Sequence, residues 1–298
     1  MVFKKEKVKM DFTDYKVKQP CELLEFLMTQ VPGTSRTKAK QLLAKKVVVV
    51  GSQPVTQFNY ALEAGDVVRI LKRGNLVELH NKYVRIVYED RDLLVIDKAE
   101  GILTNAPIDG KENSVKRVLD DYLRRESKNM TAHTVHRLDR YTSGLMIFAK
   151  RRDIQQIFID NWQSIVADRR YVAVVEGEME QDEGRVASWL KDTRTFMTYS
   201  SPTDNGGKYA VTFFRTLQRT EGRSLVEFKL DTGRKNQIRV HMKDLHHSIV
   251  GDLKYGAVSD PIGRVCLHAY KLDFYHPVTR QLLHFETPVP APFLSLMK

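Results

Sequence analysis

Cysteine is scarce in this chain: 298 residues contain two, Cys21 and Cys266, and they form no Cys-x-x-Cys pair. Neither a disulfide framework nor a cysteine-based zinc site is therefore expected. The lysine-rich stretch from Met1 to Met10 lacks the apolar core a signal peptide needs, so the two thiols fit a reducing cytoplasm. No uninterrupted apolar run approaches the ~18 residues of a membrane helix, and no membrane association is expected. Also missing are a Gly-x-Ser-x-Gly elbow, a phosphate-loop glycine pattern and a dinucleotide fingerprint. Nine histidines are present, His246 and His247 among them, but they have no carboxylate or cysteine partners at ligand spacing. No metal is expected.

Bases outnumber acids. Lys plus Arg total 48 against 37 Asp plus Glu, a net charge of +11 with a pI near 9.5. Such an excess raises the potential toward polyanions and makes nucleic acid the leading partner class. With 42% hydrophobic and 29% charged residues the composition is that of an ordinary globular protein. Its length suits one large or two modest domains.

The spacing predicts a small first module at 20–72, after a basic extension at 1–19. Leu23, Leu24, Leu27 and Met28 form a helical stripe within Cys21 to Gln30, ended by Pro32 and Gly33. Ser35 is the expected N-cap of a second helix, Arg36 to Lys46, with Ala39, Leu42 and Leu43 inward. Its other face carries Arg36, Lys38, Lys40 and Lys45, either an RNA-contacting face or simply a solvated one. Strands are expected at Val47–Val50 and Asp66–Leu71. The polar stretch 73–82 reads as a linker.

From residue 83 the pattern becomes strands with helices between. Val84–Tyr88 and Leu93–Asp97 flank a turn signal, Ser114–Arg124 and the segment holding Ile154, Ile157, Phe158 and Trp162 are helical, and Tyr171–Val175, Tyr209–Phe214 and Ser224–Leu230 read as strands.

Three segments carry candidate chemistry. In His136-Arg137-Leu138-Asp139-Arg140-Tyr141-Thr142-Ser143-Gly144-Leu145 an acid stands between two arginines, ahead of an apolar strand running to Ala149. Guanidinium neighbours favour the charged carboxylate, which suits a nucleophile or base better than a proton donor. From residue types alone an exposed ion-pair loop is equally open. In Arg169-Arg170-Tyr171-Val172-Ala173-Val174-Val175-Glu176-Gly177 a tyrosine opens a strand, either as half-buried core or in a site. In Thr232-Gly233-Arg234-Lys235-Asn236-Gln237-Ile238-Arg239-Val240-His241, Asn236 is the expected cap of a helix carrying Ile238, Met242, Leu245 and Ile249 on its buried face, with Arg239 on a different face.

These segments resemble the catalytic motifs of the RNA pseudouridine synthases, in the ribosomal large-subunit synthase A family. The first matches without a mismatch. The stretches Gly251-Asp252-x-x-Tyr255-Gly256 and Leu267-His268-Ala269-Tyr270 match further, while Ala99, Lys235 and Asn236 depart from the usual residues. The N-terminal module resembles the small RNA-binding module first known from a ribosomal small-subunit protein, with Val50 replacing the customary asparagine. The resemblance implies an α+β catalytic domain at 83–298 around a mixed, largely antiparallel sheet with flanking helices. It implies conversion of uridine to pseudouridine in ribosomal or transfer RNA by a flipped-out base, without a cofactor, by a monomer. Asp139, Tyr171 and Arg239 would be catalytic, with Arg239 paired to Asp139. Arg137 would fill the space left by the base, and His136, Ile238 and Arg234 would line the substrate pocket. A catalytically silent RNA-binding or ribosome-assembly protein is the alternative. A glycosidic hydrolase would want a second carboxylate, which the motifs do not supply.

Overall fold

The computed structural model describes residues 12–44, 47–51, 53–71, 79–107, 110, 112–195 and 197–298. The chain separates into two compact units, Met1–Leu79 and His80–Lys298. Most of the expected linker, along with Lys45, lies outside the described residues.

The first unit runs β1 (Phe12–Lys16), β2 (Cys21–Glu22), α1 (Leu23–Gln30), α2 (Arg36–Ala44), β3 (Val48–Val50), β4 (Gln53–Pro54), β5 (Ala61–Leu62) and β6 (Val67–Leu71). Its larger sheet has the order β1-β6-β3-β4, and β2 pairs with β5. Part of the expected N-terminal extension is thus a strand: β1 lies antiparallel to β6, with Tyr15 opposite Val68. Helix α1 starts at Leu23 and buries Leu23, Leu24 and Leu27 as expected, with Phe26 in addition. Met28, expected inside, is 41% exposed. Helix α2 begins as expected, with the Ser35 hydroxyl accepting the Lys38 N–H at 3.3 Å. Ala39 and Leu43 are buried against α1, while Leu42 is only half-buried.

The second unit runs β7 (Val84–Glu89), β8 (Leu93–Lys98), α3 (Val115–Arg124), β9 (His133–Thr134), β10 (Ser143–Ala149), α4 (Arg152–Ile165), β11 (Val166–Glu176), β12 (Glu183–Asp192), β13 (Thr198–Ser201), β14 (Lys208–Thr220), β15 (Arg223–Leu230), α5 (Gln237–Asp244), β16 (Leu267–Tyr275), β17 (Leu282–Glu286) and α6 (Ala291–Ser295). One sheet holds its strands in the order β13-β12-β14-β15-β11-β16-β10-β8-β7, with β17 beside β16 and β9 beside β10. Among the described residues the β10–β16 ladder is parallel and the other ladders are antiparallel. This is the expected α+β class with a mixed, largely antiparallel sheet.

Local chemistry explains the elements. Asp90 Oδ1 accepts the N–H groups of Asp92 and Leu93 at 2.7 and 2.8 Å, an Asx turn that closes the β7–β8 hairpin. Ser114 caps α3 by accepting the Arg117 N–H at 3.2 Å. Every residue of β10 is buried, which accounts for its unbroken apolar run. Helix α4 covers this part of the sheet, packing Ile154, Phe158 and Ile165 onto Leu145, Ile147, Leu272 and Phe274. Where β10 meets β16, Gly144 faces Ala269 with φ +118°, and a Cβ there would overlap the Ala269 backbone. Glycine is required at that crossing. Among the described residues no helix is long and apolar enough to cross a membrane.

Candidate active site

Asp139 sits in the loop between β9 and β10, and that loop is fastened along its length. The Thr104 hydroxyl donates to the Leu138 carbonyl at 2.8 Å and accepts the Leu138 N–H at 3.2 Å. The Gly101 N–H reaches the Arg140 carbonyl at 2.8 Å, and Thr142 N–H closes a turn onto the Asp139 carbonyl at 3.1 Å. Beneath lies Lys98, fully buried, whose Nζ donates to the carbonyls of Ala99, Arg140 and Thr142 at 2.8, 3.1 and 2.8 Å. Burial lowers the Lys98 pKa to about 7, although the charges of Asp139 and Glu100 oppose it. His136 Nε2 accepts the Ile147 N–H at 3.0 Å and so ties the start of the loop to β10. Burial, with the Arg169 guanidinium adding to it, lowers the His136 pKa to about 3, so the ring is neutral.

Asp139 opens onto a cleft of about 440 Å³ that is also lined by Tyr171, Ile238 and Arg239. Three segments far apart in sequence therefore meet in one place. Tyr171 comes from β11, where it lies opposite Phe228 and is 5% exposed. One wall is a stack that residue types alone did not reveal. The Arg169 guanidinium lies 5.4 Å from the Trp162 ring and 5.9 Å from the Tyr171 ring, and His136 packs 5.2 Å from Trp162. Arg169 stands two residues before Tyr171 on one strand, so the period-two rule would have put both on one face.

Gln237 fixes the turn before α5. Its Oε1 accepts from the Thr232 hydroxyl and the Arg234 N–H at 2.8 and 2.9 Å, while its Nε2 donates to the Val211 carbonyl and Thr212 hydroxyl at 2.9 and 2.8 Å. Helix α5 differs from expectation. It ends at Asp244, so Leu245 and Ile249 are not on it, and Gln237 through Met242 are all buried. Arg239 is among them, buried along its stem while still lining the cleft. Asn236 does precede the helix, but its side chain makes no cap hydrogen bond and its backbone is left-handed, with φ 53°.

The expected pairing of Arg239 with Asp139 is looser than anticipated. Arg239 Nη1 stands 3.7 Å from Asp139 Oδ2. Its Nε and Nη2 instead make a two-pronged ion pair with Asp252, at 2.6 and 2.7 Å. Burial disfavours the Arg239 charge, but the hydrogen-bonded Asp252 carboxylate more than offsets this and raises its pKa. The Gly-Asp segment at 251–252 was visible in sequence without a role. Nothing in the spacing indicated that its acid would face Arg239.

The remaining candidates divide by place. Arg137 is exposed and lines both this cleft and an adjoining groove that includes Lys116 and Arg117. Arg234 lines the cleft and donates to the Tyr209 carbonyl at 3.0 Å. Arg36, Lys38 and Lys40 are exposed on α2 of the first unit. A buried group with metal-ligand spacing, Asp90, Asp92 and His276, lines neither cavity. Its atoms are partnered internally: Asp90 Oδ2 takes Tyr88 and His276 at 2.7 and 2.9 Å, and Asp92 pairs with Arg151 at 2.8 Å.

Comparison with known proteins gives the same reading. Residues 92–244 match the RNA pseudouridylate synthase family. The RNA pseudouridine synthase YlyB of Bacillus subtilis is 33% identical over 285 residues, covering 92% of each chain. Ribosomal large subunit pseudouridine synthase D of Neisseria meningitidis is 30% identical over 283 residues, 90% of this chain and 75% of that one. Among solved structures, human RNA pseudouridylate synthase domain containing 1 superposes with a TM-score of 0.57 at 26% identity, over 74% of this chain and 88% of that one. A chain that carries this fold and this cleft, and matches the family across half its length, belongs to the RNA pseudouridine synthases.

Proposed function

We propose that this synthase acts on structured ribosomal RNA, as a member of the large-subunit synthase A branch, with Asp139, Tyr171 and Arg239 carrying the reaction. The observation that carries the assignment is the convergence of Asp139, Tyr171 and Arg239 on one cleft from three distant segments. The ribosomal substrate is supported by the name of the Neisseria relative.

The target uridine leaves its stack, at a cost of a few kcal/mol, and enters the cleft. Asp139 attacks or deprotonates the sugar as the bond from C1′ to N1 of uracil breaks. The base turns and C5 bonds to C1′; the Asp139 oxygen leaves C1′ on the first route, or Asp139 returns its proton to C2′ on the second, the C5 proton passes to solvent and N1 regains a proton. Atoms balance without an outside group. Tyr171 stacks on the uracil, Ile238 supplies an apolar wall and Arg239 holds positive charge beside the Asp139 carboxylate. His136 and Arg234 shape the pocket, and exposed Arg137 fills the space vacated in the helix. The first unit serves as an anchor, with Arg36, Lys38 and Lys40 on phosphates. The working form is a cytoplasmic monomer.

Large-subunit ribosomal RNA carrying tritium at uracil C5 tests this. Wild-type protein should release tritium to water, and Asp139→Asn should not. Free uracil would mean hydrolysis, bound but unchanged RNA a silent binder, and release from transfer RNA alone a different substrate.

A further inference from the structure

Arg239 is held more firmly by other groups than by the aspartate it would serve. We propose that Asp252 and Asn236 are positioning residues that form a preformed cradle for the Arg239 guanidinium. This rests on the reading of Asp139 and Arg239 as reaction-centre groups.

All three guanidinium nitrogens and one face of the plane have partners. Asp252 takes Nε and Nη2 at 2.6 and 2.7 Å, and its side chain is 1% exposed. Asn236 Oδ1 accepts from Nη1 at 2.8 Å. The Tyr255 ring lies 4.7 Å from the guanidinium carbon. Against these, Asp139 stands at 3.7 Å from Nη1, beyond hydrogen-bond length. A planar cation with a fixed fork of donors is oriented by the short, charge-assisted bonds.

The cradle is itself anchored. Asn236 Nδ2 donates to the Tyr255 hydroxyl at 2.9 Å and the Thr198 hydroxyl at 3.2 Å. The same Tyr255 oxygen accepts the Thr198 N–H at 3.0 Å. Thr198 donates onward to Asp192 at 2.6 Å, and Asp192 pairs with Lys235 at 2.9 Å. Asp252 is fixed through its backbone, donating to the Ile249 carbonyl and accepting from Tyr255, both at 2.9 Å. The left-handed backbone at Asn236 aims the amide between Arg239 and Tyr255, and asparagine is among the few residues that adopt it readily.

The chemical consequence concerns Asp139. Because its short bonds go to Asp252 and Asn236, Arg239 stands beside Asp139 without locking it in a short hydrogen bond. Asp139 can move onto the sugar without breaking a short hydrogen bond. Loss of the cradle would let Arg239 swing onto Asp139 and tie up the reacting oxygen.

The test combines steady-state kinetics with chemical rescue on the full-length protein. Asn236→Gly keeps the left-handed backbone and removes the amide, and Asp252→Asn removes the charge. Both should lower kcat by about tenfold or more while KM stays within about threefold. Arg239→Ala should regain about tenfold in rate with ethylguanidinium, and Arg239→Ala/Asp252→Asn should regain none. If Asp252→Asn does not fold, Asn236→Gly and rescue of Arg239→Ala/Asn236→Gly decide in its place. Unchanged kcat, losses confined to KM, no rescue of Arg239→Ala, or equal rescue with and without the cradle would overturn the proposal. A wild-type enzyme that releases no tritium would instead refute the functional reading beneath it.

Discussion

Replacing Lys98 with methionine separates the stability of the catalytic loop from its geometry. The substitution keeps the length of the side chain and removes the ammonium that gathers the carbonyls of Ala99, Arg140 and Thr142. Each buried acceptor left unmet costs roughly 1–3 kcal/mol. Against this, the burial penalty on the charge disappears. That penalty lowers the Lys98 pKa from 10.5 to about 7, which corresponds to roughly 4–5 kcal/mol when the amine is fully charged. The two effects nearly cancel, leaving a net destabilisation of about 2 kcal/mol near pH 6. Because the folded pKa lies below the unfolded one, the wild-type lysine contributes its full stability above 10.5 and loses it as pH falls through about 7. Lys98→Met should therefore cost more stability at pH 9 than at pH 6. Catalysis has no such compensation: two of the three released carbonyls flank Asp139 within three residues, and an ångström of misplacement costs about 10²-fold in rate. Urea melts at both pH values and single-turnover tritium release measure the two effects separately. A variant that retains its rate within about twofold would refute the clamp, and a stability loss that shrinks as pH rises would refute the sign.

Asp139→Asn should abolish pseudouridine formation while RNA affinity stays within about tenfold, since removing a negative charge does not weaken polyanion binding; filter binding beside tritium release checks it. Gly144→Ala should fail to give soluble enzyme or lose ~4 kcal/mol or more in a urea melt, because its methyl group meets the Ala269 backbone at a positive φ. His136, its pKa lowered from 6.5 to about 3, contributes stability that is complete above 6.5 and is lost as pH falls toward 3. His136→Gln should flatten that part of the curve of melting temperature against pH. A protein beginning near Lys82 should fold, bind ribosomal RNA more weakly and show a shallower salt slope, and an unchanged slope would mean that the exposed cations of α2 are only solvated.

Legibility followed burial. Strands buried on both faces, such as β8 and β10, announced themselves as apolar runs, and Ser35 and Ser114 marked helix starts. Strand β12 did not, because Glu183, Arg185, Lys191 and Asp192 stand among its residues and half of it faces solvent. Strand β1 was hidden in a basic stretch whose partner, β6, lies some fifty residues on. Of the site, Asp139, Tyr171 and Arg239 were visible through motif resemblance. Their supporting groups were not. Asp252 pairs with Arg239 across thirteen positions, and Trp162 reads as helix core until its neighbours His136 and Arg169 are seen. Such partners are chosen by tertiary geometry, which periodicity does not encode.

The position of β16 bears on when the enzyme becomes active. Asp139 leads into β10 and Tyr171 lies on β11, and these strands are not paired with each other: Leu267–Tyr275 runs between them. The segment that sets the spacing of the two side chains is thus made after both, and after Arg239 as well. A chain that ended at residue 260 would already contain Asp139, Tyr171 and Arg239 and still lack the strand that sets β10 and β11 in one sheet. The cleft between β10 and β11 therefore takes shape only when β16, late in the chain, has been synthesised and inserted.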